Sequence, residues 1–298
     1  MSKKIGFIGL GQMGKWMAVN MVKAGFDTTV FDLNQAAVKE LVEAGAKQAA
    51  SPAALAQDSE WVLLSLPNTA IVEAVIFGKD GLASTAQPGL IICDCGTTSY
   101  LPTLDLAERL AKQGVVLVDA PVSGMEARGK SGELTIMYGG SPEVFDALTP
   151  AFNAMGNKVL NMGEVGSGQL TKLVNQLLFN ISCAAIAEIL PMAAKLGLDP
   201  AKVTQVVTTG TGRSFAAEFF APLALEGVFD QGYPLKHAYK DMISAAEISA
   251  NKQIPLPLTA TATTTYQMAL ADGHGDLGKG AMFKVFERLL DVEFRKGS

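Results

Sequence analysis

Histidine is scarce: the 298 residues hold two, His237 and His274, far apart in the chain. That excludes a histidine-rich metal centre, and no metal ligand set is expected. Cysteine is nearly as rare, with Cys93, Cys95 and Cys183. An odd number of thiols makes no disulfide framework and points to a reducing, cytoplasmic setting. Cys93 and Cys95 flank Asp94 after the apolar residues Leu90, Ile91 and Ile92. A redox pair is one reading; two small hydrophobes in a buried strand is the simpler one. Basic runs are missing and the net charge is −5, which argues against nucleic acid as a partner. No apolar stretch reads as the ~20 residues a membrane span needs, so no membrane partner is expected. Met1-Ser2-Lys3-Lys4 passes straight into an apolar strand, so no signal peptide is expected. Repeats and low-complexity segments are also lacking. What remains is an ordinary globular composition, 49% hydrophobic and 18% charged, long enough for about two domains.

Phe7-Ile8-Gly9-Leu10-Gly11-Gln12-Met13-Gly14 is an apolar strand running into G-x-G-x-x-G, and a helix follows. In that context each glycine has a task. Gly9 makes the tight turn, Gly11 admits a pyrophosphate to the backbone, and Gly14 lets helix and strand pack closely. The first-turn amides, with Leu10, Gln12 and Met13 around them, then face the phosphates at the positive end of the helix dipole. A second strand ends at Asp32, 23 residues after Gly9 and close to the ~20 expected of a ribose-binding acid. Its carboxylate accepts from both ribose hydroxyls and repels a 2′-phosphate. Leu33 and Asn34 follow, with no cation to hold that phosphate. The cofactor expected is NAD, with NADP as the alternative. An unrelated glycine turn beside a solvated aspartate is the bland reading of the same residues.

Strand-like runs at 5–8, 28–31, 61–65, 90–93, 115–119 and 134–138 alternate with helix-like runs at 15–24, 35–44, 52–56, 69–75 and 101–113. The alternation predicts βαβ units on a parallel sheet. A helix at 142–155 and an edge strand at 157–161 complete it. After Gly163 the strands stop and helices are expected at 164–196, 200–208, 213–226, 235–252, 256–272 and 279–293. The fold class is therefore an α/β Rossmann dinucleotide-binding domain over 1–162, followed by an all-α domain over 163–298. The helix from 164 is apolar on nearly every face and is expected to be buried, between domains or between subunits.

Ligands bind at the carboxyl ends of such strands. Leu66, Pro67 and Asn68 lie there, as do Thr97 and its neighbours, and Ser123 and Gly124. Helix capping is the bland reading of each segment. Lys172 sits one turn into the long helix, with Asn175 and Gln176 three and four residues on and so on its face. A buried lysine is costly unless paired or neutralised, and desolvation disfavours its ammonium form, which suits proton transfer. Snorkelling near the helix start is the plain alternative. Lys240-Asp241 is either an ion pair or a second cation at the cleft, with Lys236 as a competitor.

Four segments together resemble the β-hydroxyacid dehydrogenases, the family of 3-hydroxyisobutyrate dehydrogenase and tartronate semialdehyde reductase. They are 7–21, Asp119-Ala120-Pro121-Val122-Ser123-Gly124, Gly166-Ser167-Gly168-Gln169-Leu170-Thr171-Lys172 with Asn175-Gln176, and Tyr239-Lys240-Asp241. The resemblance implies an NAD(P)-dependent oxidoreductase of a small β-hydroxy acid and its semialdehyde. It implies Lys172 as general acid–base and Ser123 and Gly124 on the substrate carboxylate. Asn175 or Gln176 would orient substrate, Lys240 would line the cofactor cleft, and Leu66, Pro67 and Thr97 would lie near the nicotinamide half. A homodimer or homotetramer is expected. Two departures stand out. Met125-Glu126-Ala127-Arg128 follows Ser-Gly where the family often has another glycine, and Gln176 stands where it often has asparagine. Arg128 would clamp a second anionic group as a planar fork, or else lie on the surface of a Gly-flanked loop; Arg213 is a similar candidate. An imine reductase-like enzyme, which typically lacks this lysine, and a non-catalytic dinucleotide sensor are the rival readings.

Overall fold

The protein is described by a computed structural model over residues 3–297. The chain divides into two compact units, Met1–Lys172 and Leu173–Ser298.

In the first unit a six-stranded parallel sheet has β1 (Lys4–Ile8), β2 (Asp27–Phe31), β3 (Lys47–Gln48), β4 (Trp61–Leu64), β5 (Ile91–Asp94) and β6 (Val116–Asp119). Their order is β3-β2-β1-β4-β5-β6, so the chain reverses direction beside β1. The runs β1 and β4 are buried almost throughout because helices cover both faces of a parallel sheet. The crossovers are α1 (Gly14–Lys23), α2 (Gln35–Glu43), α3 (Pro52–Gln57), α4 (Thr69–Phe77) and α5 (Tyr100–Ala111). Asn34, Ser51 and Asn68 start α2, α3 and α4 by accepting first-turn N–H groups. A second sheet follows, with β7 (Val122–Ser123), β8 (Leu134–Tyr138) and β9 (Gly156–Asn161), accompanied by α6 (Met125–Ser131) and α7 (Pro142–Met155).

Three features depart from the sequence reading. The strand at 134–138 leaves the parallel sheet and pairs antiparallel with β7 and parallel with β9. The strands β3 and β7 are two residues each, too short to show a period of two. Residues 125–128 form the start of α6 and not a loop. This seven-residue helix contains Gly129, a weak helix former. Tertiary packing holds it: a Cβ on Gly129 would already meet Met13 at 3.4 Å and Trp16 at 3.8 Å, and the Gly129 carbonyl accepts from Asn20 Nδ2 at 2.9 Å.

The helix α8 (Ser167–Lys195) crosses the unit boundary. It is long and apolar enough to pass for a membrane span by length and composition, which corrects the expectation that no stretch qualifies. The helix carries Lys172, Asn175, Gln176 and Asn180 among its leucines and alanines. Within the single chain its burial is incomplete, since Val174, Leu178, Ile189 and Met192 stay exposed. The second unit continues with α9 (Pro200–Thr209), α10 (Phe215–Leu225), α11 (Leu235–Lys252), α12 (Pro257–Ala271) and α13 (Met282–Leu290). Its core packs Cys183, Ala187 and Leu190 against Phe220, Leu235, Tyr266, Phe283 and Phe294. Residues 279–281, read as the first turn of the last helix, form a 3₁₀ turn, and Asp291, in the left-handed region, ends α13 early.

Candidate active site

The carboxyl ends of β1, β4, β5 and β6 meet at one rim. Gly9 leaves β1 with φ +96°, a conformation glycine adopts freely. A Cβ there would fall 2.3 Å from the Ser65 carbonyl, and the Leu66 side chain lies beside it. At Gly14 a Cβ would fall 1.9 Å from the Gly9 carbonyl, so only glycine lets α1 start that close to the strand. Gly11 differs. A Cβ on it would meet no atom of the chain, so packing does not require glycine there, and open approach to its backbone is what the residue preserves. No side chain caps α1.

Asp32 closes the turn from β2. Its Oδ2 accepts the Leu10 N–H at 2.6 Å and its Oδ1 the Asn34 N–H at 2.7 Å. An ionised carboxylate has about four lone-pair positions, so two remain for hydroxyl donors. Gln12 and Trp16 both donate to Glu126 of α6, each at 3.0 Å. These bonds hold the Glu126 carboxyl below its usual range. The glycine turn is thus tied to α6 on one side and to β2 on the other.

Leu66 meets Gly96 closely, since a Cβ on Gly96 would fall 2.8 Å from the Leu66 carbonyl. Asn68 serves as the cap of α4, accepting from Ile71 at 3.0 Å. Thr97 lies between two pinned neighbours. Asp94 accepts the Gly96 N–H at 2.9 Å and the Thr98 hydroxyl at 2.8 Å. Asp119, fully buried at the end of β6 and paired with Asp94 across the ladder, accepts from the N–H groups of Gly166 at 2.5 Å and Gln169 at 2.6 Å. Burial pushes the Asp119 carboxyl up to about 6; the two N–H donors act downward and the Asp94 charge upward. Asp119 thereby works as a remote N-cap, fixing the first turn of α8. Close packing completes it, because a Cβ on Gly168 would fall 2.2 Å from the Met137 carbonyl.

Lys172 follows on the next turn of that fixed helix and is 9% exposed. Ser123 ends β7, and Gly124 precedes α6 with φ +147°. Met125 takes φ +60°, unusual for a side chain of its size, and is exposed. The Arg128 stem lies against Gly124, since a Cβ there would meet Arg128 Cβ at 2.9 Å. In the second unit Gln176 donates to Asp241 Oδ2 at 3.3 Å, and Asn175 donates to Gln176 Oε1 at 3.4 Å. Lys240 precedes Asp241 on α11. Two other cations have partners of their own: Arg213 pairs with Glu218 and Lys236 with Asp276. Cys93 and Cys95 are buried with their sulfurs 3.8 Å apart. Sequence reasoning assigned no task to Asp94, Asp119 or Gln169. The available signal was an acid at the same offset in two successive strands.

Residues 4–163 match the family described as the NAD binding domain of 6-phosphogluconate dehydrogenase. Residues 166–286 match the family described as NAD-binding of NADP-dependent 3-hydroxyisobutyrate dehydrogenase. A 2-(hydroxymethyl)glutarate dehydrogenase of Eubacterium barkeri is 37% identical, with 99% of each chain covered. An L-threonate dehydrogenase of Cupriavidus necator is 35% identical over 96% of this chain and 97% of its own. The crystal structure of a 3-hydroxyisobutyrate dehydrogenase from Salmonella typhimurium superposes with a TM-score of 0.85 at 30% identity, covering 96% of this chain and all of that one.

Proposed function

The chain belongs to the β-hydroxyacid dehydrogenase family and is a nicotinamide-dependent dehydrogenase, and on that footing we propose that it interconverts a small anionic β-hydroxy acid and its semialdehyde, with Lys172 as general acid–base. The observation that carries this reading is a buried lysine on the second turn of a helix whose first turn is bonded to the strand-end rim.

The residues at the rim fit a dinucleotide: Gly11 keeps a cradle that a side chain would fill, and Asp32 retains acceptor capacity. Gly9, Leu10, Gly11, Gln12, Met13 and Gly14 would hold the phosphates and Asp32 the adenosine ribose, which favours NAD over NADP. Leu66, Pro67, Asn68, Thr97 and Lys240 would line the remainder. The bound nicotinamide supplies the hydride chemistry. Lys172 takes the proton from the substrate hydroxyl during oxidation and returns it to the carbonyl oxygen during reduction. Ser123 and the Gly124–Met125 backbone hold the substrate carboxylate, and Asn175 or Gln176 turns the reacting oxygen toward Lys172. Arg128, with its stem on Gly124, is suited to a second anionic group. A dicarboxylate such as that named for the Eubacterium barkeri relative has one. The exposed apolar residues of α8 support a homodimer or homotetramer, and three buried free thiols suit the cytoplasm.

Lys172→Ala should lower kcat roughly 10²- to 10⁴-fold, the usual worth of a positioned acid–base, with NADH affinity retained. Steady-state absorbance at 340 nm with NAD and NADP over a panel of hydroxy mono- and dicarboxylates reads both substrate and cofactor. Wild-type turnover by the alanine variant would remove the proposed role. No turnover of any substrate by the wild-type protein would favour the sensor reading.

A further inference from the structure

Gln169 is 1% exposed and commits its main-chain N–H and both ends of its side-chain amide to two separate segments. Its main-chain N–H goes to Asp119. Its side-chain Nε2 donates to the Gly96 carbonyl at 2.9 Å, and its Oε1 accepts the Thr98 N–H at 3.0 Å. One amide thus pairs with the backbone on both sides of Thr97, as a neighbouring strand would. From below, Asp94 holds the same two residues through the Gly96 N–H and the Thr98 hydroxyl. The segment is clamped between a strand-end acid and a buried helix side chain. Lys172 lies three residues beyond Gln169 and on its face of α8. A shift of the Gln169 amide therefore shifts Lys172 against Thr97, and misplacement by about 1 Å costs on the order of 10²-fold in rate.

We propose that Gln169 is a positioning residue that locks the 96–98 segment to the helical turn bearing Lys172, so that cofactor-side loop and proton-carrying helix keep one fixed spacing. It rests on the reading of Lys172 and Thr97 given above. A buried glutamine that merely satisfied its neighbours would affect stability and leave cofactor affinity and the rate constants alone.

The test uses Gln169→Leu and Gln169→Glu in the full-length protein. The leucine variant matches the volume and removes both side-chain bonds. Expected are a tenfold or larger rise in the NADH dissociation constant by fluorescence titration, a ten- to hundredfold fall in kcat, and faster deuterium uptake at the Thr98 amide in protein without cofactor. The glutamate variant separates positioning from bulk stability. As a carboxylate it has no donor for the Gly96 carbonyl and faces Asp119 and Asp94, so at pH 8 it should resemble the leucine variant. As a protonated acid it carries one O–H donor and one carbonyl acceptor. Its NADH affinity, relative to wild type at each pH, should therefore recover near pH 5.5. Should the leucine variant not fold, recovery of the glutamate variant still decides the matter. NADH affinity and kcat within twofold of wild type in the leucine variant would overturn the proposal, as would a glutamate variant with no recovery. Lys172→Ala in parallel keeps the two ideas apart. Its wild-type turnover would discard the acid–base role, while the Gln169 effects on NADH affinity and amide exchange would still be read.

Discussion

Each unit of this protein buries a charge, and the two are held by different means. In the first unit Asp119 is bonded by main-chain N–H groups of Gly166 and Gln169. In the second unit Lys279, 1% exposed, has Asn180 Oδ1 at 2.6 Å and its ammonium 3.9 Å over the Phe179 ring. Burial pushes that ammonium downward in pKa, while Cys183 and Asp241 act upward. Backbone donors come with the fold: once β6 and the start of α8 exist, Asp119 has its partners. Side-chain partners depend on how separate helices pack. The acid is therefore tied to architecture, and the lysine to the particular residues that surround it.

This contrast can be broken experimentally. Asp119→Ala should be the most damaging change, because it leaves two buried N–H groups without an acceptor. At ~1–3 kcal/mol each, a loss of about 4 kcal/mol is expected in urea denaturation. Faster exchange should centre on residues 166–169, and damage spread evenly over both units would contradict the remote-cap account. Asn180→Leu should cost about 3 kcal/mol by stranding a buried ammonium. The pair Asn180→Leu with Lys279→Met should regain most of that, since methionine fills the site and can lie on Phe179. A double variant no better than the single one would show that the cation itself is not the cost. The pH dependence is smaller. The folded Asp119 carboxyl titrates at about 6, above the usual carboxylate value near 4. The folded state then holds a proton that the unfolded chain releases, so this group's stabilising contribution is complete below pH 4 and lost as pH rises through 6. The slope is about 1.4 kcal/mol per unit between those limits. Asp119→Asn should remove it, as the difference between two melting-temperature profiles from pH 4.5 to 7.5. The least effect is at a half-buried cap. Ser214 accepts the Ala217 N–H at the start of α10, and Ser214→Ala should cost about 1 kcal/mol in thermal melts.

The strands and crossover helices of the first unit were legible because buried parallel strands leave short continuous apolar runs and amphipathic helices leave a helical period. Elements stabilised by other means left none. The α6 helix contains a glycine and begins at a left-handed methionine, and it exists because Asn20, Met13 and Trp16 receive it. In the second unit the helices were visible, but the distribution of apolar residues on α8 did not tell which faces would be covered. Lys172 was legible as a lysine flanked by amides on an apolar helix. What fixes that helix was not, since the partners of Asp119 and Gln169 lie about 50 and 70 residues away in sequence.

Local chemistry, then, is written in the chain itself: a glycine turn that only glycine can make, an acid at the right distance after it, alternating strands and helices, and one lysine among amides. These follow from backbone sterics and periodicity, which act between near neighbours. Folding in three dimensions decided which acid caps which helix, that one glutamine would hold the 96–98 segment, and that Lys279 would be enclosed by an amide and a ring. Those outcomes depend on close packing and on the partnering of every buried polar group, and both are properties of residues that meet only when the chain is folded.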